Sequence, residues 1–492
     1  MGPRVATWGT FDVANFGDHL FPRIFERELT RRLPGVVVQP FSPLGHLHPV
    51  SLDGGLVVEP LGEWRPERLA ELARRFDLVA IGGGEIIHPF DDLYAVFCDT
   101  SVAEARRLRP SAFFGGGLGP ELHAKHPVVW NAVGIPFELE SPFAEFVRDA
   151  TQQMAYLSVR EEVSRERLER IGVTRDIRVV PDSGFLLRRL FTDEQLGRRL
   201  RQLRELGCYP ASEPPLVVQG SQMLLEHVNA VTSSLAEAGD VPILLLETGT
   251  CHGDAEFADA LAERLDGRVL RMPESPTVED IVAAIVHARG FAGISLHGNI
   301  VALASGIPNA IFDLGVGYSK LAGMAALVGC ESSLVRTPED VAPAIRRVLA
   351  GEVSWHRQTD IETALDRHFD ELAELATRSS SSHLGDGTSS ERRLRRAFDA
   401  RGQRLVQQRL RLTDEVRRVE SDLAVSERRV AAHEARAVTS EQEVARLRSE
   451  VGLLRREVEL ANGELESLRS TRTFRYTAKL RDLYAGARRR RS

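Results

Sequence analysis

Cysteine is scarce in this chain of 492 residues, and its four copies, Cys98, Cys208, Cys251 and Cys330, lie far apart. So few excludes a disulfide scaffold, and the lack of paired close spacing excludes a cysteine-based zinc site; reduced cytoplasmic thiols are the expectation. Lysine is scarcer still, limited to Lys125, Lys320 and Lys479. No apolar run approaches the ~18 to 20 residues that cross a bilayer. The segment from Met1 to Gly9 has no basic region leading into an apolar one, so a signal peptide is not expected either. Neither glycine-rich turn described below has the spacing of a dinucleotide-binding or P-loop motif, which leaves NAD and ATP binding without support.

What is present is long and ordinary in composition. A length of 492 residues exceeds what one core usually serves, so two globular domains and an appendage are expected. The net charge of -7 is unevenly spread: the segment from Arg469 to Ser492 carries nine basic residues against Asp482 alone. A basic tail on an acidic body argues against a body that coats nucleic acid, and for contact between the tail and an anionic membrane.

Through the first 375 residues or so, short β-branched or apolar runs alternate with helical patterns, the signature of βα units around parallel sheets. Expected strands are Val5–Gly9, Val36–Val38, Asp77–Ile81, Ala112–Phe114, Tyr156–Val159 and Ile177–Val180. A second series follows: Leu216–Val218, Ile243–Leu246, Arg268–Leu270, Phe291–Ile294 and Ala310–Phe312. The proline-rich stretch from Cys208 to Pro215 separates the two series. The fold class is therefore α/β, with Rossmann-like doubly wound lobes at 1–210 and 211–376. Residues 377–390 have the Ser/Gly-rich composition of a linker. Over 391–470 the pattern becomes a heptad repeat. Val416, Leu423, Val430, Val444, Val451 and Val458 mark one seam position; Leu405, Leu412, Leu447, Leu454 and Leu468 mark the other. Val at the first and Leu at the second favour a parallel two-stranded coiled coil, hence a homodimer. Residues 471–492 form the basic-aromatic tail.

Four clusters carry possible chemistry. Asn15, Gly17 and Asp18 follow the first strand; they either cap the next helix or face a cleft at the strand's carboxyl end. Gly82, Gly83 and Gly84 form a turn able to bring backbone N–H groups near an anion, and Gly115–Pro120 forms a second. Arg160 ends a strand, placed either to fork onto a carboxylate or phosphate in the cleft or to pair with Glu161. Leu296 and His297 open a small-residue helix, and Lys320 follows the next strand; an imidazole there either serves the fold or moves a proton at neutral pH. No constellation suits a metal.

Taken in order, several segments resemble the polysaccharide pyruvyl transferase family over roughly residues 4 to 350. They are Asp-Val-Ala-Asn-Phe-Gly-Asp (12–18), Asp-Leu-Val-Ala-Ile-Gly-Gly-Gly (77–84), Gly-Leu-Gly-Pro (117–120) and Ser-Val-Arg-Glu (158–161). Pro-Asp-Ser-Gly-Phe (181–185), Ser-Leu-His-Gly (295–298), Gly-Ile-Pro (306–308) and Tyr-Ser-Lys (318–320) complete the set. The tail is similar to a short basic-aromatic tail on bacterial surface-glycan glycosyltransferases. The resemblance implies a GT-B-like pair of lobes and transfer of the enolpyruvyl unit of phosphoenolpyruvate onto two sugar hydroxyls as a cyclic ketal. It places Arg160, Leu296 and His297 at the phosphoenolpyruvate site. Members commonly carry Arg-Leu-His where this chain has Ser295-Leu296-His297, and Asp-Pro where it has Asp182-Ser183.

The implied chemistry suits these side chains. A highly anionic donor needs cations and N–H donors, and Arg160, Lys320 and Gly82–Gly84 are the candidates. His297 is the candidate acid and Asp18 the candidate base. The implied partners are phosphoenolpyruvate, as donor substrate with no other cofactor, and a glycan or lipid-linked sugar acceptor. The expected location is the cytoplasm, at the inner face of the plasma membrane. A GT-B-type glycosyltransferase and a non-catalytic assembly protein are the alternatives.

Overall fold

The computed structural model describes residues 2–45, 57–98, 100–119, 123, 126–249, 252–265, 269–273, 276–315, 320–352, 355, 357–378 and 438–470. The linker from 379, the heptads before Val438 and the basic-aromatic tail lie outside the described residues. One compact unit comprises Met1–Thr100, Ala105–Glu140 and Ala144–Ser390.

Two sheets form that unit. Strands β1 (Arg4–Trp8), β2 (Val37–Ser42), β3 (Glu59–Pro60), β4 (Leu78–Gly82), β5 (Val128–Val133), β6 (Tyr156–Val159) and β7 (Arg178–Val179) assemble in the order β3-β2-β1-β4-β5-β6-β7. Strands β8 (Leu216–Gln219), β9 (Ile243–Leu245), β10 (Val269–Arg271), β11 (Gly290–Gly293), β12 (Asn309–Phe312) and β13 (Leu334–Val335) assemble as β10-β9-β8-β11-β12-β13. Every pairing among them is parallel. Helices cover both faces, which is why β4, β5, β6 and β8 are buried at every position and β4 reads as an unbroken apolar run rather than an alternating one. The strand order reverses between β1 and β4 and between β8 and β11. Ligands of such sheets gather beyond the carboxyl ends of those strands.

One expected strand is corrected. Ala112–Phe114 lies inside the helix Pro110–Gly116. Pro110 occupies its first turn, where a missing N–H costs nothing, and Gly117 at φ 56° ends it by donating from its N–H to the Phe113 carbonyl at 2.9 Å. The second glycine-rich segment is therefore a helix terminus. The strand that fills this place in the sheet is β5, paired with β4 on one side and β6 on the other.

The two sheets share one apolar core, and two helices cross between them. Helix Asp193–Glu205, which follows the front sheet, pairs its Arg199 with Asp280 of helix Val278–Val286 beside the rear sheet, at 2.9 Å from Nη2 to Oδ2. Helix Gln358–Thr377 returns to the front sheet. Its His368 sits between the Tyr156 hydroxyl at 2.9 Å and the Asn131 amide oxygen at 2.7 Å, and burial pushes its pKa down to about 3. Phe369 packs on Phe25. The fully buried Glu28 is held by Arg32 at 2.6 Å and Arg189 at 3.0 Å, and both arginines also reach Asp366 on the returning helix. Charges this deep persist because each has several partners.

The second unit comprises Ser101–Glu104, Ser141–Phe143 and Glu391–Ser492. Within it, helix Val438–Ser470 buries Leu447 and Val451, which pack with Leu454. These are successive seam positions of the heptads, whereas Leu453 and Leu460 outside the seam are exposed. No helix among the described residues is long and apolar enough to cross a membrane.

Candidate active site

The loop after β1 turns into helix Phe16–Arg32, and its residues reach across to the rear sheet. The Asn15 side chain caps the helix, accepting from the Gly17 N–H at 2.8 Å, while the Phe16 N–H donates to the Thr248 carbonyl at 2.7 Å. In the first turn, Asp18 accepts from the Thr10 hydroxyl at 2.5 Å. Burial pushes Asp18 up to about 6; the Thr10 hydrogen bond and the charges of His297 and Lys320 pull against that rise. Asp12 is different. Its carboxylate accepts from the Leu44 N–H at 2.7 Å, the Gly45 N–H at 3.2 Å and the Tyr94 hydroxyl, and so ties the loop to the fold.

Beyond β4 the three glycines do different jobs. Gly82 ends the strand, where a Cβ would lie 2.3 Å from the Asn131 carbonyl. Gly83, at φ 95°, packs on Phe21. Gly84, at φ 118°, is the one that faces the cavity, its Cβ position 3.4 Å from Asp18 Oδ1. Next comes Glu85, whose carboxylate bridges two cations: Arg160 Nη2 at 3.3 Å and Lys320 Nζ at 3.3 Å. Burial pushes Glu85 upward, but Lys320 and Arg160 outweigh it and hold the group at about 2.

Arg160, at the carboxyl end of β6, has three acids around it. Glu161 lies 2.9 Å from Nε, Glu85 3.3 Å from Nη2 and Asp182 3.6 Å from Nη1. Its side chain is 4 % exposed. Burial works against its charge, and Glu161, Glu85 and Asp182 together raise its pKa despite that. Asp182, beyond β7, also lies 3.6 Å from His297 Nε2, so one buried carboxylate links Arg160 of the front sheet with the imidazole of the rear one. Burial of Asp182 is outweighed by His297 and Arg160, and its pKa is lowered.

His297 stands in the first turn of helix Leu296–Ala304. Ser295 caps this helix, its hydroxyl accepting from the Gly298 N–H at 3.2 Å, and its own N–H donates to Gln219 Oε1 at 2.7 Å. Ser295 is thus a helix cap. Asn299 ties the turn down, donating to the Gly293 and Ser295 carbonyls, both at 2.9 Å. The imidazole meets Phe21 edge to face at 5.1 Å, and its Nδ1 edge rests on Gly17, only 1.9 Å from where a Cβ would be.

Asn15, Asp18, Gly84, Arg160, Leu296, His297 and Lys320 line a single cavity of about 210 Å³ between the carboxyl ends of the two sheets. Gly17 lies behind the His297 ring, and Gly82 and Gly83 lie behind the wall. Sequence reasoning did not single out Glu85, Thr10 or Asp182 for a role. Asp182 lies inside the segment Pro-Asp-Ser-Gly-Phe and Glu85 directly follows the Gly82–Gly84 turn, so an acid beside each candidate segment was the available signal.

A family model described as polysaccharide pyruvyl transferase matches residues 15–315. This chain belongs to the polysaccharide pyruvyl transferase family. The match takes in every cavity residue just named except Lys320, which follows it. No curated protein matches this family member. Among solved structures, it is similar to UDP-GlcNAc 2-epimerase from Methanocaldococcus jannaschii, with 13 % identity over 75 % of this chain and 99 % of that one at a TM-score of 0.48. UDP-GlcNAc 2-epimerase from Neisseria meningitidis has 11 % identity over 75 % and 99 %, with a TM-score of 0.43. Sucrose-phosphate synthase from Thermosynechococcus elongatus has 14 % identity over 76 % and 98 %, with a TM-score of 0.46.

Proposed function

We propose that this pyruvyl transferase family member moves the enolpyruvyl unit of phosphoenolpyruvate onto two hydroxyls of a sugar in a surface polysaccharide or its precursor. The observation that carries this reading is convergence: Asp18, Arg160 and His297 of the family segment, with Lys320 just beyond it, come from different strand ends into one cavity. In the proposed reaction Lys320 and Arg160 receive the donor's carboxylate and phosphate. His297 delivers a proton to the methylene carbon. The first sugar hydroxyl bonds to the adjacent carbon as Asp18 takes its proton, the carbon–oxygen bond to phosphate breaks, and the second hydroxyl closes the ketal. One hydroxyl proton replaces the one given by His297 and the other leaves with phosphate, so neither water nor a redox partner is consumed.

The test is incubation of the purified full-length chain with phosphoenolpyruvate and candidate glycans. Phosphate release with a ketal mass shift supports the reading. Turnover of a nucleotide sugar in its place makes the chain a glycosyltransferase, and inactivity that Ser295→Arg reverses makes it a degenerate assembly protein.

Glu85 sharpens the donor reading. Its carboxylate already occupies the position between Arg160 and Lys320 that an anionic donor needs, so binding has to displace it. Glu85→Gln removes that competitor and leaves Arg160 paired with Glu161 and Asp182. By calorimetry, phosphoenolpyruvate is expected to bind the variant about tenfold more tightly, about 1.4 kcal/mol; unchanged or weaker binding contradicts the assignment.

The heptad segment is proposed to pair two copies of the chain. Light scattering of a form lacking residues 391–470 is expected to give a smaller oligomer with the head still folded, and an unchanged mass excludes the pairing.

A further inference from the structure

The cavity has a second wall that the donor chemistry leaves unused. Phe90 follows β4 and Phe137 follows β5, and both line the same cavity as Arg160 and His297. Their rings meet edge to face at 5.3 Å, with an interplanar angle of 84°. His88 joins them, stacked on Phe90 at 6.1 Å and edge-on to Phe137 at 6.1 Å. Among the described residues nine large hydrophobic side chains are exposed, and the aromatic ones are Phe90, at 39 %, and Phe137, at 42 %. Both rings are thus partly exposed on the cavity wall, and an aromatic wall beside a few polar groups is the usual make-up of a ligand site.

We propose that Phe90 and Phe137, with His88 bracing them, form the subsite for the acceptor, a pyranose ring laid with its C–H face against the phenylalanines. This rests on the pyruvyl-transfer reading and adds to it the place and the chemistry of the acceptor. An aromatic face is negative and attracts the polarised C–H groups of a sugar's apolar face. The sugar's hydroxyls point sideways from such a stack, and Glu85 and Asp18 in the same cavity are acceptors for them. A neutral polyol tolerates these carboxylates, whereas a second anion would not. A sugar held there shares one cavity with Arg160 and Lys320, the cations proposed for the donor.

The experiment compares the full-length wild type, Phe90→Ala/Phe137→Ala and Phe90→Tyr/Phe137→Tyr. Saturation-transfer NMR is run with the methyl α- and β-pyranosides of glucose, galactose and mannose and, separately, with UDP; calorimetry is run with phosphoenolpyruvate. At least one glycoside is expected to bind the wild type, to bind the alanine variant about tenfold more weakly, and to recover with tyrosine, while phosphoenolpyruvate affinity and melting temperature stay level. The subsite is overturned if no glycoside binds the wild type, if the alanine variant binds glycosides as well as the wild type does, or if UDP is the ligand that depends on the two rings. Glycoside binding that follows the rings without any binding of phosphoenolpyruvate sinks the pyruvyl-transfer reading and leaves the subsite standing.

Discussion

His297→Ala is expected to lower kcat by roughly 10²- to 10⁴-fold, the usual worth of a positioned proton donor, while phosphoenolpyruvate binds almost as before. Phe21, Gly17 and Asp182 fix the imidazole's place, and the cations proposed to receive the donor, Arg160 and Lys320, do not depend on it for their positions. The base side has its own signature. Because burial pushes Asp18 up to about 6, this carboxylate is charged at neutral pH and loses that charge as pH falls through about 6. The wild-type rate therefore declines on the acid side, where the proposed base is protonated. Steady-state kinetics with the full-length variant decides the matter; an alanine variant with wild-type kcat removes His297 from the chemistry.

Gly17→Ala carries the second large effect. Position 17 is helical and its φ is not positive, so alanine fits the backbone and on helix propensity alone adds up to about 1 kcal/mol of stability. Its new methyl, however, falls 1.9 Å from His297 Nδ1. One of the two must move, and the ring is the part that can rotate, away from its contact with Phe21 and its alignment with Asp182. Misplacing a reacting group by about 1 Å costs on the order of 10²-fold in rate. The expected result is a folded protein with kcat lowered by that amount, and no further loss when Gly17→Ala is added to His297→Ala, since both act through one ring. Thermal melting and kinetics together read this; a variant with unchanged kcat shows that Gly17 serves the turn alone.

The sequence made much of the architecture readable, since buried parallel strands are short apolar runs and helices between them keep a different period. Tyr156–Val159 needed no correction at all. Val128–Val133 escaped because its run is broken by Asn131 and by Ala132, which sits at φ 49° where the register with β6 shifts. Glu59–Pro60 and Leu334–Val335 are two-residue edge strands, too short to show any period. The candidate site was readable as loops at strand ends, because a parallel fold puts those loops on one side. What could not be read was pairing over long separations. Glu85 meets Lys320 across 235 positions, and Glu28 is tied to Asp366 through arginines, Arg32 and Arg189 among them. No local pattern encodes such contacts. For the same reason the sequence allowed Arg160 to pair with its neighbour Glu161, as it does at 2.9 Å, but gave no sign of Glu85 and Asp182, which the fold brings to it from the ends of other strands.

In the proposed function one cavity receives a small, highly charged donor between the front-sheet cations and the rear-sheet imidazole. A crystal structure of the full-length protein soaked with phosphoenolpyruvate tests it most directly. The expected result is the donor's carboxylate or phosphate within hydrogen-bond reach of Arg160 and Lys320, Glu85 displaced from between them, and the methylene carbon facing His297. Phosphoenolpyruvate bound elsewhere, or a cavity still bridged by Glu85 at saturating donor, contradicts it.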